Sequence, residues 1–278
     1  MPERHIATIY SLSFPATTGT HITAAFKNLG YQVEHFQYDK DVDCSKFDIV
    51  LRVDDGFWIR QAPNRLLQSN KCKTAYLMID SHTIPIRLVE IAQNGKFDHL
   101  FCAQEDGSID LQNALQRPVK WLPLAADSAM YTNYLAQRDI DVSFIGGISK
   151  EREEFLSKLI KECNKNNLSY YFGALPYQEM CRIYRRSRFI LSLPISNDIS
   201  MRPFEALISG ASLLQPSNVR IPMNFIKNQE DICYFLSIDD IIDAIRHRVC
   251  TGNTQKEVVK NHCYETRCND ILQTVGLL

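Results

Sequence analysis

Arg202 and Glu205 stand three apart in SMRPFEALISG, a spacing that sets a cation and a carboxylate on one face of a helix. The apolar run FILSLP and the polar loop ISNDIS precede them, so the order is strand, loop and helix start, the junction at which open α/β sheets bind ligands. A carboxylate there can accept hydrogen bonds from two neighbouring hydroxyls of a ribose. The plainer role for a Glu in a first helical turn is to complement the helix dipole, an effect of about 0.3–1 kcal/mol. Together the two residues point to a polyhydroxylated or phosphorylated ligand, with Asn197 and Asp198 in the preceding loop as contacts to its sugar or to an acceptor.

FIGGISKER carries the matching half of such a site. Gly146 and Gly147 let backbone amides approach an anion, the following helix N-terminus favours negative charge, and Lys150 and Arg152 can add charge-assisted contacts to a diphosphate. The segment fits neither GxxxxGK[ST] nor GxGxxG, and a tight turn with exposed charges accounts for it equally well. Gly173, closing the aromatic run SYYF, and Tyr177 beyond it either face a flat base or belong to the core. In the N-terminal half, MIDSHT places Asp80 and His82 at a strand end. They form the best acid–base pair of that half, against the alternative of a loop cap. Gly19 and Thr20, where the first loop meets the first helix, are expected to contact the acceptor or sugar. Asp54 and Asp55 point in different directions on an extended chain, and with His21, Asp80 and His82 they give no recognised metal spacing, so neither metal nor cofactor is expected.

These residues need a scaffold, and the chain has the material for one. Its 278 residues suit one large or two modest domains, and 45% hydrophobic with 23% charged residues can bury a sizeable core. Lys+Arg 31 against Asp+Glu 32 leaves a net charge of -1, so no global field recruits nucleic acid or an anionic membrane. The basic run RIYRRSR at 182–188 either faces a phosphate or covers the solvent side of a helix. Nine cysteines without a CxxC pair read as reduced thiols. MPERHIATIYSLSF lacks a secretory pattern and no window approaches 18 apolar residues, so a soluble, cytoplasmic protein without a membrane segment is expected.

Strand-like and helix-like runs alternate from the start, the signature of parallel βαβ construction. HIATIYSLS, YQVEHFQY, FDIVLRVDD, TAYLMID and HLFCAQ read as strands, and HITAAFKNLG as a helix closed by Gly30. After VKWLPLAADSAMY the pattern restarts with DVSFIGG as a strand, the periodic helix KEREEFLSKLIKECNKNN and the strand SYYFGAL. A boundary near 135 therefore divides the chain into two α/β halves of similar length and style, 1–135 and 136–278, expected to pack closely with a cleft between them. VVKNHCYETRCNDILQTVGLL is helix-compatible and is expected to pack on a domain surface or seam.

The succession DVSFIGG, YYFGALPYQEMCRIYRRSRFILSLP, SMRPFEALISGASLLQ and HCYETR resembles the C-terminal half of GT-B glycosyltransferases, in particular spore-maturation-type proteins with a "glycosyl transferases group 1" domain. VKWLPLAADSAMY is similar to the segment leading into that domain, so the resemblance covers about residues 119–275. It implies two Rossmann-like domains facing each other, the N-terminal one on the acceptor side, and transfer of a sugar from a UDP- or GDP-linked donor, metal-independent and of retaining type. By the resemblance, Glu205 matches the carboxylate used on the donor ribose, Arg202 the basic residue close to it, and Gly146 and Gly147 the turn facing the diphosphate. In a retaining reaction His82 contacts the sugar; in an inverting one Asp80 or His82 deprotonates the acceptor. Retaining relatives often carry a second Glu where this chain has Asn197, which leaves a non-catalytic nucleotide-sugar-binding or interaction protein as the alternative. The acceptor stays open among glycan, lipid, protein, small molecule and modified nucleic acid.

Overall fold

The computed structural model describes residues 4–12, 16–38, 40–53, 66–67, 69–130, 137–196 and 198–278. Asn197 and the Asp54–Asp55 pair lie outside them. The chain forms two compact units, Met1–Leu124 with Tyr264–Leu278, and Ala125–Cys263.

The first unit is built on a parallel sheet of β1 (His5–Ile9), β2 (Gln32–Phe36), β4 (Ile49–Val53), β6 (Lys73–Met78), β7 (His99–Cys102) and β8 (Lys120–Trp121), ordered β2-β1-β4-β6-β7-β8. A short pair, β3 (Val42–Asp43) and β5 (Leu66–Leu67), stands apart from it. All five residues of β4, IVLRV, are buried, as expected for a central parallel strand covered on both faces. The helices are α1 (Thr18–Asn28), capped by the Thr17 hydroxyl, α2 (Pro85–Gly95), with proline in its first turn, and α3 (Glu105–Leu115).

In the second unit β9 (Ile140–Ile145), β10 (Tyr170–Gly173), β11 (Ser187–Leu191), β12 (Ser212–Pro216) and β13 (Ile232–Phe235) form a parallel sheet ordered β10-β9-β11-β12-β13. Alternation along the strands divides its apolar residues between two cores. Val142, Phe144, Phe189, Leu191 and Leu214 pack with α4 (Lys150–Lys165) and α7 (Ile238–His247). Ile145, Ile190 and Leu213 pack on the opposite face with α5 (Tyr177–Arg186), α6 (Arg202–Ile208) and α8 (Asn253–Asn261). Local signals agree with these elements: Ser149 caps α4, whose first turn holds Glu151 and Glu153, and Ser237 with Asp240 forms a capping box on α7.

The last segment differs from a single helix. It breaks at His262–Cys263 into α8 and α9 (Tyr264–Thr274), where an Ala126–Cys263 bridge joins the two passages of the chain between the units. Ala126 N–H donates to His262 O at 2.9 Å. Beyond the break α9 belongs to the first unit. Its Cys268 lies against Ile22 of α1, Arg267 Nε donates to Pro123 O at 2.7 Å, and Tyr264 stacks on His21 at 5.4 Å between centroids. The unit boundaries thus fall at 124/125 and 263/264, whereas the expected boundary at 135 lies outside the described residues. The restart of the strand pattern at DVSFIGG marks β9, the first strand of the second unit, not the point where the chain enters it. All nine cysteines are free, eight of them buried. No helix among the described residues is long and apolar enough to cross a membrane.

Candidate functional site

The strand order of the second unit places a gap where the chemistry was expected. From β9 the chain crosses to β10 on one side, and from β11 it crosses to β12 on the other. The loops after β9 and β11 therefore diverge, leaving a crevice outside the carboxyl ends of these two strands. Gly146 and Gly147 follow β9; Ser192 to Met201 follow β11.

Two arginines tie these loops together from opposite faces of the sheet. Arg152, in the first turn of α4, donates to Gly147 O at 2.7 Å and to Leu193 O across the gap. Arg202, which opens α6, donates back to Ile145 O at 2.9 Å. Both guanidiniums lie near the buried ring of Phe144, Arg202 at 4.7 Å and Arg152 at 5.5 Å from its centroid. Arg202 Nε is buried and has no hydrogen-bond partner among the described residues. Burial, and then the nearby Arg202 charge, push the Arg152 pKa down. An anion between the two would relieve that repulsion.

Gly146 has a role that its sequence context did not reveal. A Cβ there would lie 2.5 Å from Arg202 Nη2, so the missing side chain makes room for the guanidinium. The Gly146 N–H is engaged by Gly173 O at 2.9 Å, which joins the ends of β9 and β10. A Cβ on Gly147 would meet nothing within 4 Å, so the open backbone of the turn is there. Lys150 is exposed at the start of α4.

Glu205, one turn into α6, is 6% exposed. Its charge reaches three side chains of α5. Burial raises Cys181 to about 11 and Tyr184 to about 12, with Glu205 adding to both and Arg202 opposing it at Tyr184. Tyr177, the first residue of α5, is raised by burial, by Asp127 and by Glu205. Its hydroxyl donates to Asp127 Oδ2 at 2.7 Å. Asp198, in the loop after β11, donates its N–H to Ser196 O at 2.8 Å.

Sequence reasoning missed Phe144 and Asp127 as parts of this site. Phe144 was legible only as a strand residue, and Asp127 lies 50 residues from its partner Tyr177. The arginines of the basic run are engaged within the second unit: exposed Arg182 pairs with Glu179 and exposed Arg186 with Asp139, while half-buried Arg188 pairs with Asp141 and half-buried Arg185 donates to Ala129 O.

In the first unit, Asp80 adopts a left-handed φ of 53° after β6, and its carbonyl accepts Thr83 N–H at 2.8 Å and Ile84 N–H at 3.3 Å. That is a turn that also presents His82, which is exposed. Gly19 is buried in the first turn of α1, where a Cβ would lie 2.3 Å from Tyr10 Cγ; Thr20 next to it is half-buried, with its hydroxyl 3.2 Å from that of Thr17. Among the described residues no three His, Cys, Asp or Glu side chains are grouped to hold a metal ion.

A family model described as glycosyl transferase-like matches residues 137–273, a span containing every site residue of the second unit except Asp127. No curated protein matches the chain. Solved structures do, at low identity. An alpha-glucosyltransferase in complex with UDP-glucose and abasic-site DNA is 9% identical, with a TM-score of 0.66 over 99% of this chain and 100% of that one. Sucrose-phosphate synthase from Thermosynechococcus elongatus is 11% identical, with a TM-score of 0.60 over 98% of each chain. HepE from Anabaena, in complex with UDP, is 10% identical, with a TM-score of 0.58 over 99% and 100%. The two parallel sheets match these glycosyltransferase structures, which shows a GT-B fold, and residues 137–273 are similar to the glycosyl transferase-like family model.

Proposed function

We propose that this protein transfers a sugar from a uridine diphosphate sugar to an acceptor hydroxyl, holding the donor in its second unit. The reading rests above all on Arg152 and Arg202, two cations packed against one ring at the strand-order crevice, with the glycine turn beneath them. Fixed guanidiniums aimed where a diphosphate leaves stabilise its developing charge without reorganisation. On binding, they exchange backbone carbonyls for phosphate oxygens, while the Gly147 turn lets the chain approach closely. Glu205, buried one turn further, accepts the ribose hydroxyls. Uridine is chosen because the matched HepE and alpha-glucosyltransferase structures hold UDP or UDP-glucose. Exposed His82 and the Asp80 turn of the first unit serve the acceptor side. The diphosphate charge is met by the arginines, so transfer proceeds without a metal; the retaining outcome is taken from the resemblance to retaining GT-B enzymes.

The test is to incubate the protein with a panel of UDP-, GDP- and dTDP-sugars, measuring both nucleotide release and melting temperature. Release of UDP from one donor, with a raised melting temperature, is expected. A donor that raises the melting temperature but is never turned over would make the protein a binder; no response to any donor would sink the proposal. His82→Ala is expected to lower turnover while leaving UDP affinity in place, and wild-type turnover would remove His82 from the reaction.

A further inference from the structure

His82 is exposed, yet the turn of the first unit that carries it is held by buried polar groups. Asp80 opens the turn in the left-handed region, which costs a non-glycine residue energy and persists where the surroundings fix it. Its carbonyl closes the turn on the N–H groups of Thr83 and Ile84, and Ile84 is already the N-cap of α2. Ser81, immediately before His82, is 6% exposed. Its N–H and its hydroxyl both donate to Gln104 Oε1, each at 3.2 Å.

Gln104 is a firm post for these bonds. It follows β7 and is the N-cap of α3, and its carbonyl accepts the Ser108 N–H at 2.9 Å. Ala103 before it donates to Met78 O at 2.9 Å and accepts the Trp121 indole N–H at 3.1 Å, so residues at the ends of β6 and β8 hold it from both sides. The Gln104 side chain makes no cap on α3; its oxygen is turned to Ser81 instead. Gly107 permits the approach, since a Cβ there would lie 1.9 Å from Ser81 Oγ and 2.7 Å from Ser81 Cβ. Glycine is a poor helix former, so its place near the start of α3 answers to this contact and not to helix stability.

A fixed turn matters for proton transfer. A general acid or base acts only within hydrogen-bond reach of its proton, and a misplacement of about 1 Å can cost on the order of a hundredfold in rate. A histidine on a free loop would have to be ordered in every turnover. We propose that Ser81 and Gln104 are positioning residues that latch the His82 turn to the start of α3, with Gly107 as the space in which they meet. The inference rests on the assignment of His82 to the acceptor side of the transfer.

Steady-state release of UDP from the donor that the full chain turns over tests the latch. Ser81→Ala removes one of the two hydrogen bonds and is expected to lower kcat about tenfold, with KM for the donor within about twofold of wild type. Gly107→Ala deletes no hydrogen-bonding group but drives Ser81 away, and the same loss is expected. Gln104→Glu keeps the acceptor oxygens where a helix start favours their charge, so kcat is expected within about threefold of wild type. The decisive comparison is with His82→Ala. Added to it, Ser81→Ala is expected to change turnover by less than about twofold, because a positioning residue then has nothing left to position. Losses that multiply, or a raised KM in place of a lowered kcat, would give Ser81 a purely structural role and overturn the latch. Wild-type kcat in Ser81→Ala and Gly107→Ala, beside a slow His82→Ala, removes the latch alone. Unchanged turnover in His82→Ala removes the histidine and the latch together; if no donor is turned over, the transfer reading fails first and the latch with it.

Discussion

The two sheets share a topology and differ in what fills the place where it turns. In each, the chain runs from an inner strand to one side and then crosses back, giving β2-β1-β4 in the first unit and β10-β9-β11 in the second. The residue after the inner strand is Tyr10 in one and Gly146 in the other. Tyr10 is buried, and Gly19 of α1 leaves room for its ring; Gly146 is itself the space, and Arg202 enters it. The first unit thus packs an aromatic ring against α1 and His35 of β2, while the second brings two guanidiniums to the ends of its strands. A cation is present in the first sheet too, but Arg52 is 1% exposed, set over the Tyr38 and Tyr76 rings at 4.6 and 5.9 Å. One topology holds an aromatic ring or a guanidinium beside its inner strand according to which side of the contact is glycine.

The most severe way to break this contrast is Arg152→Ala with Arg202→Ala. Loss of both guanidiniums is expected to weaken UDP by about 3 kcal/mol or more, over a hundredfold by titration calorimetry. An affinity within threefold of wild type would return the second gap to mere structure. Next comes Gly19→Ala. The clash is with Tyr10 Cγ and Cβ, at the root of the side chain, so overpacking is expected to cost about 2 kcal/mol in urea unfolding without affecting UDP affinity of the folded protein. Gly146→Ala is the mirror experiment. Here the clash is with the far end of the Arg202 side chain, which can shift where the root of the Tyr10 ring cannot, and the expected loss is about 1 kcal/mol of UDP affinity with a near wild-type melting temperature. A large stability loss in that variant would erase the distinction between the two glycines.

Two smaller effects sharpen the difference between committed and exposed charges in the second unit. Burial alone would raise the Asp141 pKa, but the Ser169 N–H, Arg188 and the Ser169 hydroxyl hold it below its ordinary value of 3.8. A lowered folded pKa stabilises above the unfolded pKa and is lost as pH falls through the folded one, so the contribution begins to fall near pH 4 and is gone once the pH is below the folded pKa. Asp141→Asn is expected to cost about 1 kcal/mol at pH 7 and to flatten the acid limb of stability against pH. Arg182→Ala, breaking an exposed pair with Glu179, is expected to change stability by less than about 0.5 kcal/mol.

Much of the architecture was legible because parallel strands buried on both faces read as short apolar runs. HLFCAQ, DVSFIGG and FILSLP each mark a strand, and the capped, periodic α4 was plain. The crevice was legible in its local parts: a glycine turn, a cation three residues before a carboxylate. Its assembly was not, because Arg202 meets Ile145 across 57 residues and Tyr177 meets Asp127 across 50, and no short window holds both partners. The return of α9 was hidden for a related reason. Amphipathic spacing shows that a helix has a buried face without naming the surface that covers it, and α9 covers α1 more than 200 residues earlier. RIYRRSR shows the opposite error to which charge runs lead, since each of its arginines is already engaged by its own unit.

The division of the first unit between Met1–Leu124 and Tyr264–Leu278 also sets an order of events during translation. As the nascent chain emerges, the α1 surface around Ile22 stays uncovered until Cys268, Ile271 and Leu272 of α9, all fully buried in the finished fold, have been made. The ribosome must first deliver the entire second unit, on the order of ten seconds at ordinary elongation rates. The insert is contiguous, so all of its contacts are available before those that complete the unit bracketing it.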